Sequence, residues 1–181
     1  AVFTNDDELA ETMRSVRIHG KGRDKYDNVR VGLNARIDTL QAAVLLEKLA
    51  IYPEELALRD TVANGYMDAL GSIVGLKLPS VPEGCRSVWA QFSVQSAQRV
   101  AIQAHLKAAG IPTAVYYVRP LHLLEAFRGL GYEEGQFPVS EEASRSIFSL
   151  PFHPYLAPDT ILHLADEIRG ALARLATPAS S

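Results

Sequence analysis

The 181-residue chain holds a single cysteine, Cys85. One thiol cannot close an internal disulfide, so packing and hydrogen bonding must hold the fold, and a cytoplasmic location is expected. Long apolar runs are also missing. No stretch approaches the roughly 20 residues that a membrane helix needs, and the opening AVFTNDDELAE turns acidic at once, unlike a secretory leader. Nor is there an excess of positive charge. The net charge is −3 and the pI about 6.0, which removes the global field by which nucleic-acid proteins collect phosphates. Metal motifs are absent: His19, His105, His122, His153 and His163 lack ligand spacing, and neither HExxH nor CxxC occurs. A GxSxG elbow, a P-loop, internal repeats and low-complexity segments are missing as well. Cys85 lies in the turn-like PSVPEGCRS with no activating neighbour and reads as structural.

What is present is a globular composition, 48 % apolar and 22 % charged, in a length sufficient for one compact domain with a real core. The opening Ala1-Val2-Phe3 reads as the tail of a strand, so a piece of something larger is expected. Asn5 and Glu8 have capping-box spacing, which predicts a helix over 6–16. HGKGRDKYDNVRV (19–31) shows no hydrophobic period and reads as a mobile basic loop. Residues 37–49 are helical and apolar on most of the circumference, as in a helix buried on several sides. Pro53 should break or kink it, with PEELALRDTVANGYMDAL continuing as a second helix closed by Gly71.

The second half alternates. VWAQFSV (88–94) and IPTAVYYV (111–118) read as strands, with a helix over 98–110 between them. SEEASRSIFSL (140–150) reads as a helix capped by Ser140, PFHPYL as a turn holding His153, and APDTILHLADEIRGALARL as the last helix. His105 and His163 fall mid-helix as packing or surface residues. The pattern is α/β, a small sheet with packed helices.

Two polar clusters carry candidate chemistry. In GLNARIDTLQAAVLLEKL (32–49), Asn34 and Arg36 stand at the mouth of an apolar helix. Spacing alone favours a turn residue and a solvated charge; the functional reading is an anion held where helix N–H groups already favour phosphate. In YYVRPLHLLEAF (116–127), Tyr116, Tyr117, Arg119 and His122 follow a strand end. They are incidental loop residues, or they reach into a cleft as strand-end side chains often do.

Together with GYEEGQFPVSEEASRSIFSLPFHPYL and the opening AVFTNDDELAETMRSVRIHG, these stretches resemble the C-terminal half of the DegT/DnrJ/EryC1/StrS nucleotide-sugar aminotransferases. The resemblance implies the C-terminal part of the aspartate-aminotransferase-like fold (PLP fold type I), with a long interdomain helix. Residues 1–36 would be the tail of the large domain, 37–70 interdomain and dimer-interface helices, 71–175 the small α/β domain and 176–181 a frayed tail. It implies pyridoxal 5′-phosphate (PLP) in active sites shared across a homodimer. Asn34 would reach the neighbour's PLP phosphate, with Arg36 close by. His19 and the basic loop, with Lys21, Arg23, Lys25 and Arg30, would border a nucleotide sugar. Tyr117 and His122 would line the substrate cleft, with Tyr116 and Arg119 beside them. The family's Schiff-base lysine lies upstream of this stretch, and the lysines present do not match its motif. No catalytic residue is therefore expected here, and the chain alone should be inactive without an N-terminal half. The implied reaction moves an amino group from L-glutamate to a nucleotide-linked keto-sugar, for surface polysaccharide, lipopolysaccharide included, or for a glycosylated metabolite. A sugar dehydratase of the same family and a non-catalytic dimerisation module are the alternatives. No nucleic-acid or membrane partner is expected.

Overall fold

The computed structural model describes residues 2–24 and 26–176. Ala1, Lys25 and the expected frayed tail beyond residue 176 lie outside them. The chain divides into two compact units, Ala1–Tyr52 and Pro53–Ser181.

In the first unit, α1 (Asp7–Arg17) starts one residue later than the capping-box spacing suggests. Its cap is Asp6 and not Asn5: the Asp6 carboxylate accepts the Leu9 N–H at 2.9 Å. Asp7 and Glu8 then sit at the positive end of the helix, and Arg14 and Arg17 at the negative end. No strand forms over residues 2–4. The stretch 19–31 is not the structureless loop its composition suggests. It folds back as a narrow ribbon, with antiparallel bridges Ile18↔Asn34 and Lys21↔Asn28. Two glycines allow this closeness. Gly20 has φ +73°, and a Cβ there would lie 1.7 Å from the Arg30 carbonyl oxygen. A Cβ on Gly32 would meet the Gly20 nitrogen at 2.0 Å.

Helix α2 (Thr39–Leu70) is one continuous helix, so the break expected at Pro53 does not occur. Proline removes one helical N–H and its φ suits a helix, so the penalty is local, about 3 kcal/mol. Packing of the part beyond Pro53 offsets it: Val62, Ala63, Tyr66, Ala69 and Leu70 are buried in the core of the second unit. Before Pro53 the same helix is exposed, Leu40 at 83 % and Leu46 at 67 %. The helix ends as expected, the Gly71 N–H closing onto the Met67 carbonyl at 2.9 Å.

The second unit is built on two antiparallel strands, β1 (Phe92–Gln95) and β2 (Ile147–Leu150), in the register Phe92↔Leu150 to Gln95↔Ile147. Each outer edge carries one further bridge, Lys77↔Gln95 and Ala114↔Ser149. The strand expected over 111–118 is thus reduced to a single bridge, because Pro112 offers no N–H to extend the ladder. The helix expected to run to residue 150 is α4 (Pro138–Ser146), and its last four predicted residues are β2. The Ser144 and Ser146 hydroxyls bond back to the carbonyls of Glu141 and Glu142, a pattern that weakens a helix, and β-favouring Ile147-Phe148 follow. Helices α3 (Arg99–Ala108) and α5 (Pro158–Ala176) pack on one another. Two short 3-10 helices, Leu121–Leu123 and Glu125–Leu130, connect the Ala114 edge to α4. At the centre, Tyr66 stacks on Phe92 at 4.8 Å and its hydroxyl donates to the Pro151 carbonyl at 2.7 Å. Burial raises the Tyr66 phenol well above its ordinary value, so it stays neutral. No helix among the described residues is long and apolar enough to cross a membrane.

Candidate functional site

The predicted site residues divide between the units. His19, Asn34 and Arg36 belong to the first; Tyr116, Tyr117, Arg119 and His122 belong to the second.

The ribbon positions the first group. The His19 N–H donates to the Leu33 carbonyl at 2.9 Å, Leu33 to Val16 at 2.7 Å and Ala35 to Arg17 at 3.0 Å, which fixes Asn34 opposite Ile18. Arg36 Nε donates to Asn34 Oδ1 at 3.1 Å. A guanidinium has only donors, so the Asn34 amide must turn its oxygen to Arg36 and its NH2 group outward. The pair thus leaves the amide NH2 and the outer guanidinium nitrogens as donors on an exposed segment. Among the described residues no carboxylate is bonded to either. That is a donor set suited to a phosphate group. Helix α2 begins at Thr39, and the Asp38 N–H just before it donates to Gln41 Oε1 at 3.3 Å, one half of a capping box. His19 is exposed at φ +59°, and its carbonyl accepts the Asn28 side chain at 2.6 Å. Beside the ribbon runs an open groove where Lys21, Arg23 and Arg30 alternate with Asp24, Asp27 and Glu11.

In the second unit, Tyr116, Tyr117 and Arg119 follow the Ala114 bridge in an exposed stretch that bends at Tyr116, Val118 and Arg119. Tyr116 lines a cavity of about 230 Å³ with Gln91, Thr113, Pro151 and Phe152. His122 differs, its side chain being only 8 % exposed. Its Nε2 lies 3.1 Å from Glu141 Oε1, and Phe137 packs on the imidazole at 4.7 Å. Glu141 escapes the sequence reading because Ser140 looks like the helix cap. Pro138 instead occupies the first helical turn, which places Glu141 where its carboxylate folds back over the helix start. It accepts the N–H of Gly135 at 2.9 and 3.0 Å and of Phe137 at 3.2 Å. Burial alone would raise this carboxyl, but the Gly135 and Phe137 N–H groups, and then His122, hold it below its ordinary value.

A depressed folded pKa stabilises the protein above the unfolded value of 4.5, and that contribution is lost as pH falls through the folded value. The gap in urea midpoint between the natural protein and Glu141→Gln is therefore expected to close as pH falls below 4.5. A gap that keeps widening below that value would contradict the assignment.

Among the described residues no group of His, Cys, Asp and Glu forms a metal site, and Cys85 is exposed. His105 pairs with Glu167 at 2.7 Å between α3 and α5, a packing role as expected.

The profile of the DegT/DnrJ/EryC1/StrS aminotransferase family matches residues 1–169. The chain is 47 % identical over 156 residues to UDP-2-acetamido-2-deoxy-3-oxo-D-glucuronate aminotransferase of Pseudomonas aeruginosa, covering 86 % of the chain and 42 % of that protein. Its fold is similar to a DegT DnrJ EryC1 StrS aminotransferase from Brucella abortus, with TM-score 0.82 and 50 % identity over 93 % of the chain and 44 % of the other. It is also similar to DesV of S. venezuelae solved with a ketimine intermediate, with TM-score 0.84, 36 % identity and 92 % and 45 % coverage. The chain thus spans a little under half the length of these relatives.

Proposed function

This chain belongs to the DegT/DnrJ/EryC1/StrS aminotransferase family, and from that premise we propose that it forms the C-terminal half of a nucleotide-sugar aminotransferase. The family is PLP-dependent. In this reading the enzyme transfers an amino group from L-glutamate to a nucleotide-linked keto-sugar for surface polysaccharide or a glycosylated metabolite. Its Schiff-base lysine lies outside these residues, so the chain alone is inactive and works with a segment that carries it. The observation that carries the reading is the 47 % identity to a relative named as an aminotransferase of a UDP-linked 3-oxo sugar.

When bound, PLP supplies the carbonyl that takes up the amino group from one substrate and gives it to the other. The residues of this chain bind and orient. The Asn34 amide and the Arg36 guanidinium donate to the phosphate, and the ribbon holds both before the cofactor arrives. We assign that phosphate to the neighbouring subunit of a homodimer, with the exposed apolar part of α2 as dimer surface. Lys21, Arg23 and Arg30 beside His19 attract the diphosphate, tempered by Asp24 and Asp27. Tyr116, Tyr117, Arg119 and His122 wall the sugar cleft.

Two measurements test this. In the complete enzyme, a visible cofactor band should change on adding L-glutamate, and a nucleotide 3-keto-sugar should gain the mass of an amino group for a carbonyl oxygen. A band indifferent to glutamate sinks the reading. Asn34→Ala should weaken PLP retention roughly tenfold or more, the value of one hydrogen bond to a charged group. Unchanged cofactor affinity in dialysis would remove Asn34 from the phosphate site.

A further inference from the structure

Glu141 plays no part in the reading above, yet its side chain is only 5 % exposed. A carboxylate so enclosed is tolerated when its lone pairs are filled. Here Gly135 donates to both oxygens, and Phe137 and His122 donate to Oε1. An ionised carboxylate only accepts, so the ring nitrogen facing it, His122 Nε2, carries the hydrogen. In a neutral imidazole the other nitrogen then offers a lone pair. His122 Nδ1 has no hydrogen-bond partner among the described residues, and it is not among the polar atoms sealed from solvent without one. It therefore keeps some access to solvent. Phe137 against the ring, and Tyr132 edge-on to Phe137 at 5.3 Å, fix the plane of the imidazole.

We propose that Glu141 is the positioning residue of His122: it locks the ring in the Nε2–H tautomer and presents Nδ1 as a hydrogen-bond acceptor to a hydroxyl group of the bound sugar. The ligand half of this rests on the reading of His122 as a wall of the sugar cleft. An acceptor there selects a ligand O–H or N–H and disfavours a carbonyl or carboxylate at the same place. The same carboxylate gathers residues 135–137 against the ring, so the tautomer and the loop beside it are set by one group.

The tautomer is read in nitrogen-15 spectra of the histidine-labelled chain at pH 8. The expected spectrum has His122 Nε2 protonated and Nδ1 bare. In Glu141→Gln an amide oxygen at the Oε1 place keeps both the Phe137 N–H and the Nε2–H, so the informative variant is Glu141→Leu, which leaves Nε2 no acceptor and moves His122 toward the Nδ1–H form. An Nδ1–H or doubly protonated ring in the natural protein overturns the proposal, and that spectrum needs no variant to fold. A tautomer unmoved by Glu141→Leu overturns it too. In the complete enzyme, Glu141→Leu should raise KM for the nucleotide sugar about three- to tenfold, the range of one neutral hydrogen bond. It should raise it no further in a His122→Ala background. An unchanged KM removes the ligand-facing role. If the natural enzyme aminates no nucleotide sugar, the ligand half falls with the functional reading, while the spectrum still decides the positioning half.

Discussion

Replacing Tyr66 with alanine is expected to remove about 3–5 kcal/mol of stability, the range for deleting a large buried aromatic ring. Tyr66 is fully buried on α2, stacked on Phe92, with Phe152 at 6.4 Å on the same aromatic cluster. Its hydroxyl also satisfies the Pro151 carbonyl. Alanine leaves both a cavity and an unpaired carbonyl. Against a typical total of about 5–15 kcal/mol, that is a large share. Tyr66→Phe separates the two effects: it keeps the ring and orphans the carbonyl, at about 1–3 kcal/mol. Urea unfolding checks both, through a lower midpoint at unchanged slope. Equal losses in the two variants would mean that the hydroxyl, and not the ring, holds this core.

The second large effect is expected at Gly20. Alanine there needs a left-handed backbone and sets a carbon 1.7 Å from the Arg30 carbonyl oxygen, a distance no rotamer relieves. The ribbon must open locally, and with it goes the alignment that holds Asn34 against Ile18. Gly20→Ala should therefore reduce PLP retention in the complete enzyme at least as much as Asn34→Ala, roughly tenfold or more. Amide hydrogen exchange at His19 and Leu33, whose N–H groups close the ribbon, should accelerate in the chain itself. Exchange unchanged at both would show that the ribbon tolerates the methyl group, against the geometry.

Much of the fold is legible in the sequence because periodicity and end signals act locally. The helices at Asp7–Arg17, Arg99–Ala108 and Pro158–Ala176 follow from apolar spacing and flanking caps, and Gly71 ends α2 as its type suggests. What fails is decided at a distance. Pro53 looks like a stop until the burial of Val62 to Leu70 is known. Ile147–Leu150 continues an amphipathic pattern as a helix would, and only pairing with Phe92–Gln95 makes it a strand. IPTAVYYV has strand composition but an edge place, where one bridge suffices. Of the candidate site, Asn34 and Arg36 are visible as a polar pair, whereas their mutual hydrogen bond depends on the ribbon behind them. Glu141 is invisible, since nothing local says that a glutamate after Pro138 will meet a histidine nineteen residues earlier.

The bare edges of the small sheet bear on how this protein avoids fibrils. A foreign strand adds to a sheet where a run of backbone N–H and C=O groups lies open. Here each outer row makes one bridge and then meets a proline, Pro79 beyond Lys77 and Pro112 before Ala114. Neither row offers the continuous template that cross-β stacking requires. The chain's open apolar surface is instead helical, along Leu40, Val44, Leu46 and Leu49, where the backbone groups bond within the helix except at the Leu49 carbonyl, which faces Pro53. Crowded copies of this chain are therefore expected to meet through side chains, with their helices intact, and not through the hydrogen-bonded stacking that makes amyloid permanent.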